Sequence, residues 1–341
     1  MSGAAGLVYA RRETTTTNTY DSADIVITAL VDGTFAGTVR NKANTSGSEL
    51  ASAEDDGELV VRGVANQTFI GTLDLSKDMV VGHGATLTLA GNVSLRNQAK
   101  GSVVLNGGTF QLDNRTTNNA NRLRDGGTAE TGLETIGGGT FTLFGHSSGT
   151  TELIGRLQMG TASNARSGAV TINVVQPVSS TNATELRFQS LSRDSGVQQY
   201  STIHFNATDS NGTVRELGLA GNNPRISFAT VPLTGNGGLL KNTSAVGTSG
   251  TGWATLSRPG AGGAINMDFA TVAPTTGFIA AVTTQNGFNG SSLATNVLVT
   301  SSITLNSGSN TSAASVKFAP DSDGQELVIS GGGRLNSNGF L

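Results

Sequence analysis

Gly138-Gly139-Thr140-Phe141-Thr142-Leu143 repeats the pattern of Gly107-Gly108-Thr109-Phe110-Gln111-Leu112. Shorter versions occur as Gly71-Thr72-Leu73-Asp74-Leu75 and Gly84-Ala85-Thr86-Leu87-Thr88-Leu89. In each phrase the apolar residues stand two apart, and side chains at that spacing point to one face of a strand. Each phrase therefore reads as a very short strand with one buried face, closed by turn residues. A long series of such strands with no helix between them indicates a stacked, repetitive β-architecture.

The pattern continues outward in both directions. Leu59-Val60-Val61, Phe69-Ile70, Met79-Val80-Val81, Val93/Leu95 and Val103/Leu105 lie near the first phrases. Val170/Ile172/Val174, Leu186/Phe188, Ile203/Phe205, Ile265/Met267/Phe269, Val297/Val299, Val316/Phe318 and Leu327/Ile329 follow. Hairpin meanders place Asn-Gly or Asp-Gly turns between longer strands. Short strands bounded by corners are what each coil of a parallel β-helix contains. Gly and Asn tolerate the tight backbone of such corners, and stacked Asn and Thr side chains can bond from coil to coil. The expected fold is all-β, a parallel β-helix (β-solenoid) with degenerate repeats and projecting loops. At roughly 20–25 residues per coil it holds on the order of a dozen coils, and a spacing of about 4.8 Å gives a rod of roughly 60 Å.

Along the chain, residues 1–22 read as a flexible lead or the end of a preceding unit. Residues 23–220 read as β-solenoid repeats, with a loop insertion near 113–137. The stretch 221–263 is a Gly/Asn/Pro-rich decorated boundary segment, and 264–341 continues the repeats. The end at Asn338-Gly339-Phe340-Leu341 falls inside a repeat-like phrase. The expectation is a segment of a longer protein, with any export signal and anchor outside it; residues 1–7 lack the basic and apolar regions of a signal peptide.

Composition narrows the classes. The 47 Gly of 341 residues follow no Gly-X-Y period, which excludes collagen. An apolar fraction of 36% with a net charge of −3 favours a folded chain over a disordered one. A pI near 5.6 and scattered Lys and Arg argue against nucleic acid as a partner. No run approaches the roughly 18 apolar residues of a membrane-spanning helix, so no direct membrane insertion is expected. Cys is absent, which fits a bacterial surface protein that crosses membranes unfolded and fits a cytosolic protein equally.

The Gly-Gly-Thr-Phe-Thr-Leu phrases resemble the autotransporter-associated β-strand repeat of large bacterial surface and secreted proteins. Gly252-Trp253-Ala254-Thr255-Leu256, Met267-Asp268-Phe269-Ala270-Thr271-Val272 and Gly277-Phe278-Ile279-Ala280-Ala281-Val282 resemble the stretch between repeats in that family. Val299 to Leu305 and Gly324 to Leu341 resemble the return of the repeat. The resemblance covers roughly residues 60–341. It implies a right-handed parallel β-helix passenger region, exported and displayed at the cell envelope, with no catalytic residues. A C-terminal barrel of the autotransporter kind needs strands of about ten alternating residues with aromatic girdles, a pattern this chain of 5% aromatics lacks.

Candidate chemistry is sparse. His83, His146 and His204 lie far apart, without metal-ligand spacing, and no Gly-x-Ser-x-Gly elbow accompanies them. Asp321-Ser322-Asp323-Gly324 and Asp55-Asp56-Gly57-Glu58 cluster oxygens but lack a full calcium loop. Polysaccharide cleavage needs convergent carboxylates, often with Arg. Glu185/Arg187, Arg193/Asp194 and Arg215/Glu216 are the nearest candidates, and surface ion pairs explain them more simply. Trp253 suits a packed position better than a sugar platform. Sequons such as Asn206-Ala207-Thr208 follow from composition. No catalytic, cofactor-binding or metal-binding residue is assigned, and no cofactor is expected. The expected function is a structural, non-catalytic passenger or stalk segment of a bacterial exported surface protein, for display or adhesion. Its partners would be host-surface or matrix glycans or other cell-surface proteins, and its location extracellular or cell-surface. A β-helical polysaccharide lyase or hydrolase is the alternative, and a phage tail fibre or tailspike segment a third.

Overall fold

The computed structural model describes residues 7–9, 12–13, 20–21, 25–40, 58–75, 78–95, 102–120, 122–126, 130–160, 168–193, 201–241, 252–288, 292, 294–305, 310–319, 324–330 and 334–341. The chain is all-β. Short 3-10 turns at Asn236–Gly238 and Ala261–Gly263 are the helical elements among these residues.

Parallel pairing runs through most of the protein. In the first ladder Ile25, Leu59, Met79, Val103, Leu133, Leu157 and Leu191 stand in register, each opposite the next. All seven are buried. Successive members are 34, 20, 24, 30, 24 and 34 residues apart, a wider and less regular spacing than the phrases alone indicate. The second ladder aligns Leu87, Phe110, Phe141, Ile172, Phe205 and Leu256 in one inward row. Phe110 and Phe141 meet at 5.6 Å between ring centroids. Burying each such side chain contributes about 1.5–3 kcal/mol, so the row holds adjacent passages of chain together by like-on-like packing.

Two strands serve both ladders. Val103–Asp113 and Thr131–Phe144 each pair at one end in the first ladder and at the other in the second, with a register shift between. The bend falls at Gly107 and Gly138, whose φ of 82° and 76° disfavour any residue with a Cβ. At the neighbouring Gly139, φ 132°, a Cβ would run into the Gly108 carbonyl of the adjacent passage. The repeated Gly-Gly of the phrase is thus a corner in close inter-strand contact.

Further strands pair in two separate three-stranded sheets, a third set. Leu7–Tyr9, Thr38–Arg40 and Thr72–Asp74 pair in parallel, as do Thr150–Ile154, Thr184–Phe188 and Arg225–Phe228. The irregular segments 90–95, 114–120 and 122–124 lie between the two groups in sequence. The insertion near 113–137, expected to project, sends part of itself inward: Asn114, Arg122 and Leu123 are buried. Leu123 joins the main core.

Parallel order ends at Ala254–Pro259. This strand continues the second ladder on one edge and pairs antiparallel with Ile265–Val272 on the other. Ile265–Val272 then pairs antiparallel with Ile279–Ala281. Parallel pairing resumes in three small sheets: Thr284–Asn286 with Asn296–Val299 and Ser315–Phe318, Ile303–Leu305 with Leu327–Ile329, and Asn310–Ala313 with Arg334–Ser337. Their own core holds Val297, Val299, Ala313 and Val316.

Candidate ligand-binding groove

The outward side of the second ladder carries polar rows. Asn66, Thr86, Thr109, Thr140, Thr171, His204 and Thr255 align in one. Thr34, Thr68, Thr88, Gln111, Thr142, Asn173 and Asn206 align in the next. Strand alternation places them there, because their neighbours fill the core. They bond between passages as Asn and Thr ladders do: Thr88 Oγ1 to Asn66 Oδ1 at 3.0 Å, and Asn206 Nδ2 to Asn173 Oδ1 at 3.1 Å. The sequon residue Asn206 is therefore engaged within this row.

A concavity lies at the third set of strands. This groove of about 710 Å³ is lined by Ser148, Thr151, Asn182, Glu185, Asn222 and Arg225, among others. These residues come from three successive passages, so the groove runs across the strands. Asparagines fix its floor. Asn118 Nδ2 donates to Gly149 O at 2.8 Å, Asn182 Nδ2 to Ser148 O at 3.1 Å, and Asn222 Nδ2 to Ser180 O at 2.5 Å. Each amide reaches a backbone carbonyl on a neighbouring passage. Gln176 holds Asn222 in turn, its Nε2 donating to Oδ1 at 2.9 Å.

The charged pair of the groove is Glu185 and Arg225, directly opposite in register. Ser227 Oγ donates to Glu185 Oε1 at 2.6 Å. Glu185 Oε2 and Arg225 Nη1 stand 3.9 Å apart, beyond hydrogen-bond reach. Arg225 is positioned by donating Nη2 to the Gly221 carbonyl and by lying 5.1 Å over the Phe278 ring. The sequence pairing of Glu185 with Arg187 is replaced by this contact across 40 positions; Arg187 shares the outward face and is exposed.

The remaining candidates are scattered. Arg193 is buried, donates Nε to Ser201 O at 3.1 Å and lies 4.6 Å over Trp253; Asp194 lies outside the described residues. Trp253 is itself 5% exposed and donates Nε1 to Leu240 O. Arg215 faces Asp209 at 3.9 Å. Glu216 pairs with Arg258 at 2.8 Å, Arg258 with Asp268 at 3.1 Å, and Asp268 with Lys317 at 2.7 Å. That four-member network ties the antiparallel hairpin to the C-terminal sheets. His146 contacts Ser148 Oγ in its turn at 2.7 Å, and His83 packs against Gly107. His204 holds two hydroxyls, Thr255 Oγ1 on Nδ1 and Ser257 Oγ on Nε2, both at 2.9 Å. Burial lowers its pKa below the usual histidine value. Asp55, Asp56, Gly57, Asp321, Ser322 and Asp323 lie outside the described residues. Among those described, no three His, Asp or Glu side chains form a cluster suited to a metal ion, and no helix is long and apolar enough to cross a membrane.

Sequence reasoning did not find Arg225 or the asparagines of the floor. The available signal was the recurrence of Asn near the corners, at Asn118, Asn182 and Asn222. No family model matches the chain, and neither a curated protein nor a solved structure matches it.

Proposed function

We infer that this chain is a structural, non-catalytic segment of a bacterial exported surface protein, a passenger or stalk for display or adhesion at the cell surface. The observation that carries this reading is the long run of parallel ladders in register, apolar rows inward and hydroxyl and amide rows outward. On this reading the ladders close into a right-handed parallel β-helix, in keeping with the resemblance to the autotransporter-associated β-strand repeat. Each coil touches only its neighbours, so folding can propagate from one end as the chain emerges from a membrane. Host-surface or matrix glycans, or other surface proteins, are the partners of this reading. Many weak contacts along a polar face add through multivalency.

The groove at Glu185 and Arg225 is the one feature that favours polysaccharide cleavage. Hydrolysis uses two carboxyl groups flanking the scissile bond, and among the described residues that line the groove Glu185 is the single acidic one. The groove therefore favours holding a ligand over cutting one.

Protease added outside intact cells that make the protein is the test. Removal of the protein from the surface, with no reducing sugar released from polysaccharides by the purified chain, is the expected result. Recovery only in the protease-protected cytosol overturns surface display, and reducing-sugar release that depends on Glu185 overturns the non-catalytic reading.

A further inference from the structure

We propose that the groove lined by Ser148, Thr151, Asn182, Glu185, Asn222 and Arg225 binds a linear, uncharged oligosaccharide laid along the stacking direction. The proposal rests on the adhesive reading above and names the ligand class of that site.

Four features lead to this ligand. The first is the gap between Glu185 Oε2 and Arg225 Nη1. At 3.9 Å the ion pair makes no direct hydrogen bond, and a single hydroxyl oxygen seated on its open side, about 2.8 Å from each group, donates to the carboxylate and accepts from the guanidinium. Sugars present such donor-acceptor groups in series. The second is rigidity. Ser227 fixes the carboxylate, while Gly221 and Phe278 fix the guanidinium, so little side-chain freedom is lost on binding.

The third feature is charge. One carboxylate beside one guanidinium gives a nearly neutral groove, which attracts neither a polyanion nor a polycation. The other lining groups are hydroxyls, amides, backbone and the methyls of Ala120 and Ala183, suited to hydroxyl recognition. The fourth is direction and length. Three adjacent strands at about 4.8 Å spacing span roughly 10 Å, the reach of a di- or trisaccharide. The volume lies within the range of small-ligand sites. Among the described lining residues none is aromatic, so the sugar edges, and not their faces, meet the protein.

Calorimetric titration of the full chain with cellohexaose, maltohexaose and hexagalacturonate tests this. The expected result is saturable binding of cellohexaose, the extended neutral chain, over hexagalacturonate. Arg225→Met should weaken it roughly tenfold or more, as loss of a charged hydrogen bond does. Thr151→Trp, at an exposed position directly opposite Glu185 in register, covers the Glu185–Arg225 pair from the neighbouring passage and should abolish binding with an unchanged circular dichroism spectrum. This second variant decides the matter if Arg225→Met misfolds. Absence of saturable binding to any of the three sugars, or full affinity in Thr151→Trp, overturns the site. Tighter binding of hexagalacturonate overturns the uncharged ligand. The titration uses purified protein, so it is independent of where the cell places the chain: a failed site leaves surface display standing, and a failed display leaves the site standing.

Discussion

Arg122 gives its backbone N–H to the Glu152 carboxylate, at 2.9 and 3.1 Å to the two oxygens, while its own guanidinium points elsewhere. The guanidinium donates to Asn114 Oδ1 at 2.9 Å, Val93 O at 3.1 Å and Asp113 O at 3.0 Å. Glu152 also accepts from Leu123 N at 2.7 Å. Both residues are fully buried. Together they satisfy the backbone of Val93, Asp113, Arg122 and Leu123, groups outside the third set of strands. Glu152→Ala strands two buried N–H groups and should cost about 3–5 kcal/mol, measured by urea denaturation. A loss below about 1 kcal/mol would show that water or rearrangement replaces the carboxylate.

The same glutamate makes stability depend on pH. Burial pushes Glu152 up to about 7, against the N–H bonds of Leu123 and Arg122 and the Arg122 charge. Burial likewise pushes Glu134 up to about 7, with Asp78 and Glu58 adding to the shift and Arg156 opposing it. A raised folded-state pKa gives stability that is full below the unfolded value of 4.5 and is lost as pH rises through 7. Glu152 alone contributes about 3 kcal/mol between those limits. His204 acts in the opposite sense: its pKa is lowered by burial, so its stabilisation is lost as pH falls below the ordinary histidine range. Comparison with Glu152→Gln isolates the glutamate. Wild type should gain stability relative to the variant on going from pH 8 to pH 5, and a constant difference would contradict the burial argument.

Phe141 stands between Phe110 and Ile172 in the inward row of the second ladder and is fully buried. Phe141→Ala should cost about 3–5 kcal/mol, because flanking rows in register cannot collapse into the space. Gly139→Ala removes no apolar surface, yet it should also destabilise, through its positive φ and the Gly108 carbonyl. Thermal unfolding of both variants checks this; a stable Gly139→Ala would mean that the corner is free to move.

Arg258 bridges Glu216 and Asp268 and is 40% exposed at its side chain. Arg258→Ala should therefore cost only about 1 kcal/mol globally. Its effect should be local. Hydrogen exchange should quicken in 265–281 and stay unchanged in 59–112, since those passages share no partner with it. Uniform quickening would show that the antiparallel hairpin and the parallel ladders open as one unit.

The inward rows were legible because period-two alternation survives in Leu87/Leu89, Phe110/Leu112 and Phe141/Leu143, and because Gly-Gly marks the corner. The third set of strands was less so. Residues 114–124 show no alternation, and Arg122 and Glu152 look like surface charges until the chain brings them inside. The partner of Glu185 was hidden for a different reason. Sequence offers Arg187 two positions away, whereas parallel stacking delivers Arg225 from the next passage. Irregular spacing, from 20 residues per passage to 51, conceals such pairings from any fixed-period reading. The reversal to antiparallel order after Ala254–Pro259 is marked only by Pro259 and the glycines beside it.

Register by residue type makes the protein's size a matter of whole steps. Excision of residues 79–102 would bring Leu59 against Val103 in the first ladder and Phe69 against Leu112 in the second, apolar against apolar as before. The assembly would shorten by a single rung of about 4.8 Å. Duplication of the same stretch would lengthen the ladders by one rung and reuse the rows already present in the core.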